Sequence, residues 1–268
     1  MGVVRAFLGS RTLWTVMAFL LIWSLTRIGL RGLAKDPRFD ARPEALRAEG
    51  PAWGGPELLN PVLDRLEVLG RINLFDPRFD DRIRGALLEL PCVASVDSVR
   101  RIWPARYGVD VTLRRPVAVV VRGDERVPVT AGGVALPPAP YAHASRGLLE
   151  IRGVTGEPPR AGQVWRSAEL ASGLETVAQL SPHLDELAPL ELACVDVAGA
   201  GTARTGVYLY GGEGITIRWG RPLRTVGENP VERKLLFLKI AAGQVDRVRG
   251  LETDVRFSKL YCRPPAQP

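Results

Sequence analysis

The amino-acid sequence predicts an α+β protein with an N-terminal transmembrane helix, a small β-α-β-β domain and a larger mixed β domain with flanking helices. A charge-free run of 15 residues, Thr12–Thr26, predicts the transmembrane helix. Strict alternation of apolar and polar residues from Tyr107 to Arg114 predicts a strand with one buried face. Apolar residues at helical spacing between Leu170 and Leu180 predict an amphipathic helix. With 268 residues, 46% of them hydrophobic, the chain is long enough to bury two small cores.

The N-terminal apolar run is long enough to cross a bilayer. Residues 12–30 make a stretch of 19 if the Arg27 side chain reaches back to the interface, close to the ~20 residues that a bilayer core requires. Trp14 and Trp23 lie near its ends, as interfacial aromatics do. A cleaved signal peptide and a buried soluble helix are the alternatives. The run lacks a small-x-small cleavage site after it and is apolar on all sides, so we expect a span preceded by a tail, residues 1–11.

A linker and the small domain are expected next. Residues 31–60 are rich in proline, glycine and charge, which is typical of a linker, and residues 61–122 form the small domain. Within it "LDRLEVLG" suggests a strand. "DPRFDDRIRGALLEL" predicts a helix, because Ile83, Leu87 and Leu90 fall on one helical face. "LPCVASVDSVRRIWPARYGVDVTLRRP" predicts two strands joined by a Trp-Pro turn.

Residues 123–260 are expected to form the larger domain. Its first helix begins behind Ser167 as a cap, and "VYLYGGEGITIRWG" predicts a hairpin with a glycine-rich turn. A second helix is predicted behind Asn229, with Pro230 at its first position. "LETDVRFSKL" predicts a last strand, and residues 261–268 a disordered tail.

The residues that could carry catalysis or hold a metal are few and scattered. Neither His143 nor His183 has a metal-ligand partner at a known spacing, and both are expected in loops open to solvent. Cys92, Cys194 and Cys262 lie far apart and are odd in number, which fits two core thiols and one near the tail. The sequence shows no nucleophile motif. We therefore predict a non-enzymatic protein with no catalytic residue, no cofactor and no metal site.

The charge pattern indicates a mixed surface and no nucleic-acid partner. The net charge is +7 and the isoelectric point about 9.8, but the arginines are spread evenly along the chain. Arg100 and Arg101 are adjacent on a predicted strand and so point to opposite faces, where they cannot form one patch. Positive charge on both sides of the span leaves its orientation open.

The Trp-Pro segment resembles the end of the POTRA domain in bacterial cell-division proteins of the FtsQ/DivIB family. Three later segments, "VTAGGVALP", "LLEIRGV" and "TDVRF", resemble segments of that family's β domain and come in the same order. The sequence of a short tail, one span, a POTRA domain and a β domain also matches. Cys92 stands where the family usually has tryptophan, and the linker is longer than usual.

The resemblance implies a non-catalytic divisome scaffold in the bacterial inner membrane, with its N-terminus in the cytoplasm and both domains in the periplasm. It implies recruitment of other division proteins to the septum through exposed edge strands, because an edge strand binds a partner by accepting one of its strands. The implied partners are FtsB/FtsL-like membrane proteins, and others could bind the POTRA domain.

The resemblance also implies a partner-binding strand, which carries over to Asp254–Leu260. Phe257 would be the aromatic anchor and Arg256 a charge partner for an acidic residue; Ser258 completes the implied site. The sequence itself leaves open whether Phe257 points outward or into the core.

Two alternatives of function stay open at this point. A POTRA-bearing component of envelope assembly or secretion usually has several POTRA repeats and a barrel, which this chain is too short to hold. A single-span envelope binding protein without a division role would share the same architecture. Localisation at the septum separates that protein from a divisome scaffold.

Overall fold

In the computed structural model, described over residues 11–46, 53–199, 206–221 and 227–264, helices and mixed sheets alternate along the chain. These residues divide into two compact units. The first holds the described residues of 11–46 and 61–112, and the second holds 53–60 together with those of 113–264. The α+β class expected from the sequence is confirmed. Residues 1–10 of the expected tail lie outside the described residues.

The first unit begins with α1 (Arg11–Leu33), a helix whose apolar side chains are exposed. Its segment Leu13–Leu33 is 21 residues long, and its length and composition suffice to cross a membrane. Trp14 is 70% exposed and Trp23 51%, as expected for side chains that would face lipid. The predicted apolar helix over 12–30 is therefore present and extends three residues further.

The body of the first unit is a four-stranded sheet with two helices, and the sequence-based expectation for its start was wrong. Along the chain its elements are β1 (Asp40–Leu46), α2 (Asn60–Leu69), β2 (Ile72–Asn73), α3 (Phe79–Leu88), β3 (Val93–Ile102) and β4 (Arg106–Leu113). The strand order is β2-β1-β4-β3, with β1 parallel to β4. Thus β1 lies inside the expected linker, and the expected strand "LDRLEVLG" is helix α2.

Burial explains why that segment is helical. Val62 and Leu66, one helical turn apart, are both buried, whereas Val68 is 77% exposed. A strand would have placed Leu66 and Val68 on the same face. Helix α3 buries Ile83 and Leu87 as predicted, but it ends at Leu88, so Leu90 lies beyond it and is half-buried.

The second unit is built on an eight-stranded mixed sheet in the order β12-β11-β10-β9-β8-β7-β5-β6. Its strands are β5 (Ala118–Arg122), β6 (Glu125–Val129), β7 (Glu150–Arg152), β8 (Cys194–Gly199), β9 (Gly206–Tyr210), β10 (Thr216–Gly220), β11 (Glu252–Asp254) and β12 (Tyr261–Arg263). The helices are α4 (Ala168–Leu180), α5 (Val231–Ala242) and the short α6 (Val245–Val248). The predicted hairpin is β9–β10, which is antiparallel.

One face of this sheet carries the core. Apolar residues at matched register on successive strands are buried there: Ile151, Val195, Leu209 and Ile217. Helices α4 and α5 bury their apolar stripes in the same hydrophobic cluster. The α4 cap is as predicted, since the Ser167 hydroxyl accepts the backbone N–H of Leu170 at 3.2 Å.

Candidate functional site

The candidate site is the β12 edge of the eight-stranded sheet, and this edge strand lies further along the chain than the strand expected from the sequence. The residues expected to form a partner-binding strand, Asp254–Leu260, do not form a strand, because β11 ends at Asp254 and residues 255–260 form an irregular crossing. The chain then returns as β12, antiparallel to β11, with Thr253 opposite Cys262. The edge is therefore β12, in a segment expected to be a disordered tail.

The strand ends at Asp254 because its side chain folds the next residues into a turn. The carboxylate accepts the backbone N–H of Arg256 at 3.0 Å and the guanidinium at 2.7 Å. A carboxylate that binds the backbone two residues ahead replaces the strand ladder with a turn. Arg256, expected to meet a partner's acid, is thus already paired within its own chain.

This pairing also shifts the pKa values of both groups. Burial raises the pKa of Asp254, but the hydrogen bonds and the charge of Arg256 outweigh it and hold that pKa below its ordinary value. The hydrogen bond to Asp254 raises the pKa of Arg256. Both side chains are largely shielded, at 13% and 15% exposure, so the pair is a fixed part of the fold.

Asn229 donates hydrogen bonds to three carbonyl groups of the crossing. Its backbone N–H donates to the Arg256 carbonyl at 2.6 Å, and its side-chain amide donates to the carbonyls of Val255, at 3.1 Å, and of Phe257. These groups are consequently not available to a partner strand. The predicted helix cap at Asn229 was wrong, since α5 begins at Val231 with Pro230 in the capping position.

A buried ion pair holds Asn229 in place. The Lys234 ammonium, 2% exposed, donates to the Glu228 carboxylate at 2.8 Å and to the Arg221 carbonyl at 3.1 Å. It also lies 5.5 Å from the centre of the Trp219 ring. Glu228 directly precedes Asn229, so the pair ties the start of α5 to the end of β10. This pair was not predicted from the sequence, because no local pattern marks a lysine as buried.

The large apolar side chains that are exposed at this edge are aromatic. Phe257 is 42% exposed, and its ring centre lies 4.7 Å from the Arg256 guanidinium carbon. The structure thus answers the open question of its direction: Phe257 is not a core residue. Ser258 is exposed, whereas Leu260 is half-buried and packs against the core. Of the five expected site residues, Phe257 and Ser258 face outward.

The strand β12 itself is exposed at all three positions. Tyr261 is 54% exposed, and Cys262 is exposed as well. Arg263 donates to Glu252 of the neighbouring strand at 2.7 Å, which fixes one side chain across the pair. Within the part of the chain that the structure describes, β12 has a neighbouring strand on one side alone.

The cysteine and histidine side chains, which could in principle act in catalysis or bind a metal, are dispersed over the described residues. Burial raises the pKa of the Cys194 thiol to about 11, so the thiol is protonated at neutral pH. Cys92 is buried and His143 is exposed, both as expected. His183 is half-buried, with Nδ1 3.6 Å from Glu186, and so differs from the expected solvent-exposed loop residue. Among the described residues, groups of three or more potential metal ligands do not occur.

The arginines of β3 are paired on opposite sides of the sheet. Arg100 donates to Asp110 of β4 at 2.9 Å, whereas Arg101 reaches Asp80 of α3 at 3.5 Å. The Arg101 guanidinium also lies over the Phe79 ring, 5.0 Å from its centre. The two adjacent arginines therefore belong to different surfaces, as their spacing predicted.

Comparison with known proteins leaves the chain without an assigned family. No family model matches the sequence, and no curated protein matches it significantly.

Proposed function

We propose that this protein is a non-catalytic, single-span scaffold of bacterial cell division, similar to the FtsQ/DivIB family, that binds a partner by strand addition at β12. The observation that carries the proposal is the exposed strand Tyr261–Arg263, which has a neighbouring strand on one side alone among the described residues, beside the exposed ring of Phe257. An edge strand offers unpaired backbone groups, and the neighbouring aromatic offers an apolar anchor.

Two further features support the proposal. The N-terminal helix is apolar enough for a membrane span, as such a scaffold requires. It is followed by a small α+β unit and then a larger sheet unit, in the order that the resemblance implies. The first unit stands where a POTRA domain would be, and the protein would lie in the inner membrane with both units in the periplasm, concentrated at the septum.

The partner would be a small single-span protein of the FtsB/FtsL-like kind. Anchoring of both proteins in one membrane raises their effective concentration, so a short strand contact is sufficient for binding. The edge needs to supply register and one or two aromatic contacts, which Tyr261 and Phe257 offer.

A pull-down with the full-length chain from solubilised membranes tests the proposal. Wild type would be compared with Tyr261→Glu, which places a charge on the edge strand, and with Tyr210→Glu as the matched control. Tyr210 is also an exposed tyrosine, at 38%, but it lies on the interior strand β9. We expect small coiled-coil division proteins with wild type and Tyr210→Glu, and their loss with Tyr261→Glu.

The other outcomes of the pull-down distinguish a wrong binding site from a wrong function. Recovery of the same division proteins with all three baits would move the binding site away from β12. If none of the baits recovers division proteins, the divisome role is wrong.

A further inference from the structure

The first unit is tied directly to the end of its membrane-spanning helix. The Asn73 side-chain amide, at the end of β2, donates to the carbonyls of Leu33 at 3.2 Å and Asp36 at 2.9 Å. Leu33 is the last residue of α1. This contact holds the edge of the four-stranded sheet against the point where the chain leaves the helix.

The length of the apolar run sets the level of this contact relative to a membrane. The charge-free residues Thr12–Thr26 extend over ~22 Å at 1.5 Å per residue, less than the ~30 Å of a hydrocarbon core. Arg27 and Arg31, which follow within two turns, must therefore extend their guanidinium groups to the headgroups. In a bilayer that α1 crosses, the last turns of α1 and the part of the unit that touches them would therefore lie at headgroup level.

At this level an open cleft is lined by arginines. Its volume is about 490 Å³, and Arg27 and Arg31 of α1 face it together with Arg101 of β3. The one acid in its lining, Asp76, is engaged by Arg82 at 3.3 Å. The Arg27 guanidinium carbon lies 4.4 Å from the centre of the Trp23 ring, and the Arg101 guanidinium is 3.5 Å from Asp80, an ion pair that is exposed to solvent. Guanidinium groups that are open to solvent are suited to a phosphate, which accepts paired N–H donors.

The tip of the β3–β4 connection adds apolar side chains close by. Trp103 is 69% exposed and Ile102 is 40% exposed. The Trp103 ring lies 5.5 Å from that of Phe39, which follows the end of α1 by six residues. Exposed tryptophan next to a membrane helix is typical of residues that sit in the interface.

We propose that the cleft and this tip together form a binding surface for anionic phospholipid headgroups on the side of the membrane where the units lie. The arginines hold the phosphate, and Trp103 enters the interface beside it. The inference rests on the membrane anchoring in the proposed function but is independent of the division partner. As a consequence, the first unit lies on the surface of the bilayer, and its orientation is fixed before any protein binds.

A spin label on the tip tests the proposal in the full-length chain, reconstituted in liposomes. In a Cys262→Ser background, Ile102→Cys would be labelled at the tip and Ala94→Cys as the control. Both sites are exposed and lie on β3, eight residues or ~26 Å apart. With phosphatidylglycerol present, we expect the label at 102 to be shielded from an aqueous nickel reagent and the label at 94 to be open.

A pair of adjacent arginines supplies the matched control for charge. Arg101→Gln removes a guanidinium from the cleft, whereas Arg100→Gln changes its neighbour on the opposite face. We expect Arg101→Gln to lower, about fivefold, the ratio of chains whose label at 102 is shielded from nickel to chains whose label is open to it. This is the effect expected for the loss of one basic residue at an anionic surface. Arg100→Gln should leave the ratio unchanged.

Three results would overturn the proposal. Equal nickel exposure at 102 and 94, in a chain that stays in the membrane, would place the tip in water and leave the anchor intact. Equal shielding with phosphatidylcholine alone would remove the role of the anionic headgroup. A chain that alkaline carbonate extracts from membranes would contradict both this surface and the proposed membrane scaffold.

Discussion

The side-chain amide of Asn229 donates to the carbonyl of Val255 at 3.1 Å, so the start of α5 holds the crossing that leads into β12. The position of the proposed binding edge thus depends on a residue far from it in sequence. Loss of this contact would free residues 255–260 without removing any residue of the edge strand.

Replacing Asn229 with alanine should loosen the edge. The change leaves the carbonyls of Val255 and Phe257 without their donor, at a cost of about 1–3 kcal/mol if they remain shielded. We expect faster amide hydrogen exchange over 255–263 and unchanged exchange in β8. Exchange that stays slow over 255–263 would show that Asn229 does not hold the crossing.

In the buried pair of Lys234 and Glu228, removing one charge should destabilise the fold more than removing both. Lys234→Met leaves Glu228 shielded without its cation, and we expect a loss of about 3–5 kcal/mol in the free energy of unfolding. The double variant Lys234→Met, Glu228→Gln should lose less, because the unpaired charge is gone. Urea titrations of the two variants measure the difference; a double variant as unstable as the single one contradicts the explanation.

Acid should weaken the turn at Asp254. Its pKa is lower in the folded chain than in the unfolded one, so its ion pair contributes stability above the ordinary aspartate pKa of about 3.9 and loses it as pH falls through the folded pKa. The difference in unfolding free energy between wild type and Asp254→Asn should therefore shrink between neutral and strongly acid pH. A difference that is constant with pH would mean that the carboxylate is not ionised in the fold.

Two glycines with the same backbone conformation should respond differently to alanine. Gly153 and Gly156 have φ of +81° and +83°, but a Cβ on Gly153 would lie 2.4 Å from the backbone nitrogen of Ala198, whereas Gly156 has open space. Gly156→Ala should cost about 1–2 kcal/mol for the left-handed conformation alone. Gly153→Ala should cost clearly more in thermal unfolding, and equal losses would contradict the close approach of β7 and β8.

The three thiols should differ in reactivity. Cys262 is exposed on β12, while Cys92 and Cys194 are buried and the Cys194 pKa is raised to about 11. A maleimide reagent at neutral pH should therefore modify the native chain once, at Cys262, and all three thiols after denaturation. Mass spectrometry counts the labels, and fast labelling of Cys194 would contradict its burial.

The elements that the sequence predicted well are those whose partners are close in the chain. The β9–β10 hairpin and the helix behind Ser167 are specified by local alternation, spacing and capping, and both form as expected. The elements that were wrong depend on distant partners. Strand β1 lies in the proline-rich segment that was expected to be a linker, and a register shift between Pro43 and Ala45 accommodates Pro43 in the parallel pair with β4.

The candidate site shows the same limit. Asn229 was predicted to cap a helix. Its side-chain amide instead donates to a carbonyl 26 residues later in the chain, that of Val255. The stretch Asp254–Leu260 alternates like a strand, but Asp254 binds the backbone of Arg256 and ends the strand there. Side-chain hydrogen bonds of this kind compete with the ladder, and periodicity alone does not reveal them.

Photo-crosslinking in living cells from the edge strand would detect strand addition at β12 in place. A photoreactive phenylalanine analogue would replace Tyr261, with Tyr210 on the interior strand β9 as the control. If a partner adds a strand at β12, we expect a crosslink from position 261 to one small single-span division protein, and none from position 210. A chain that reaches the septum but gives no crosslink from 261, or the same crosslink from both positions, would contradict strand addition at β12.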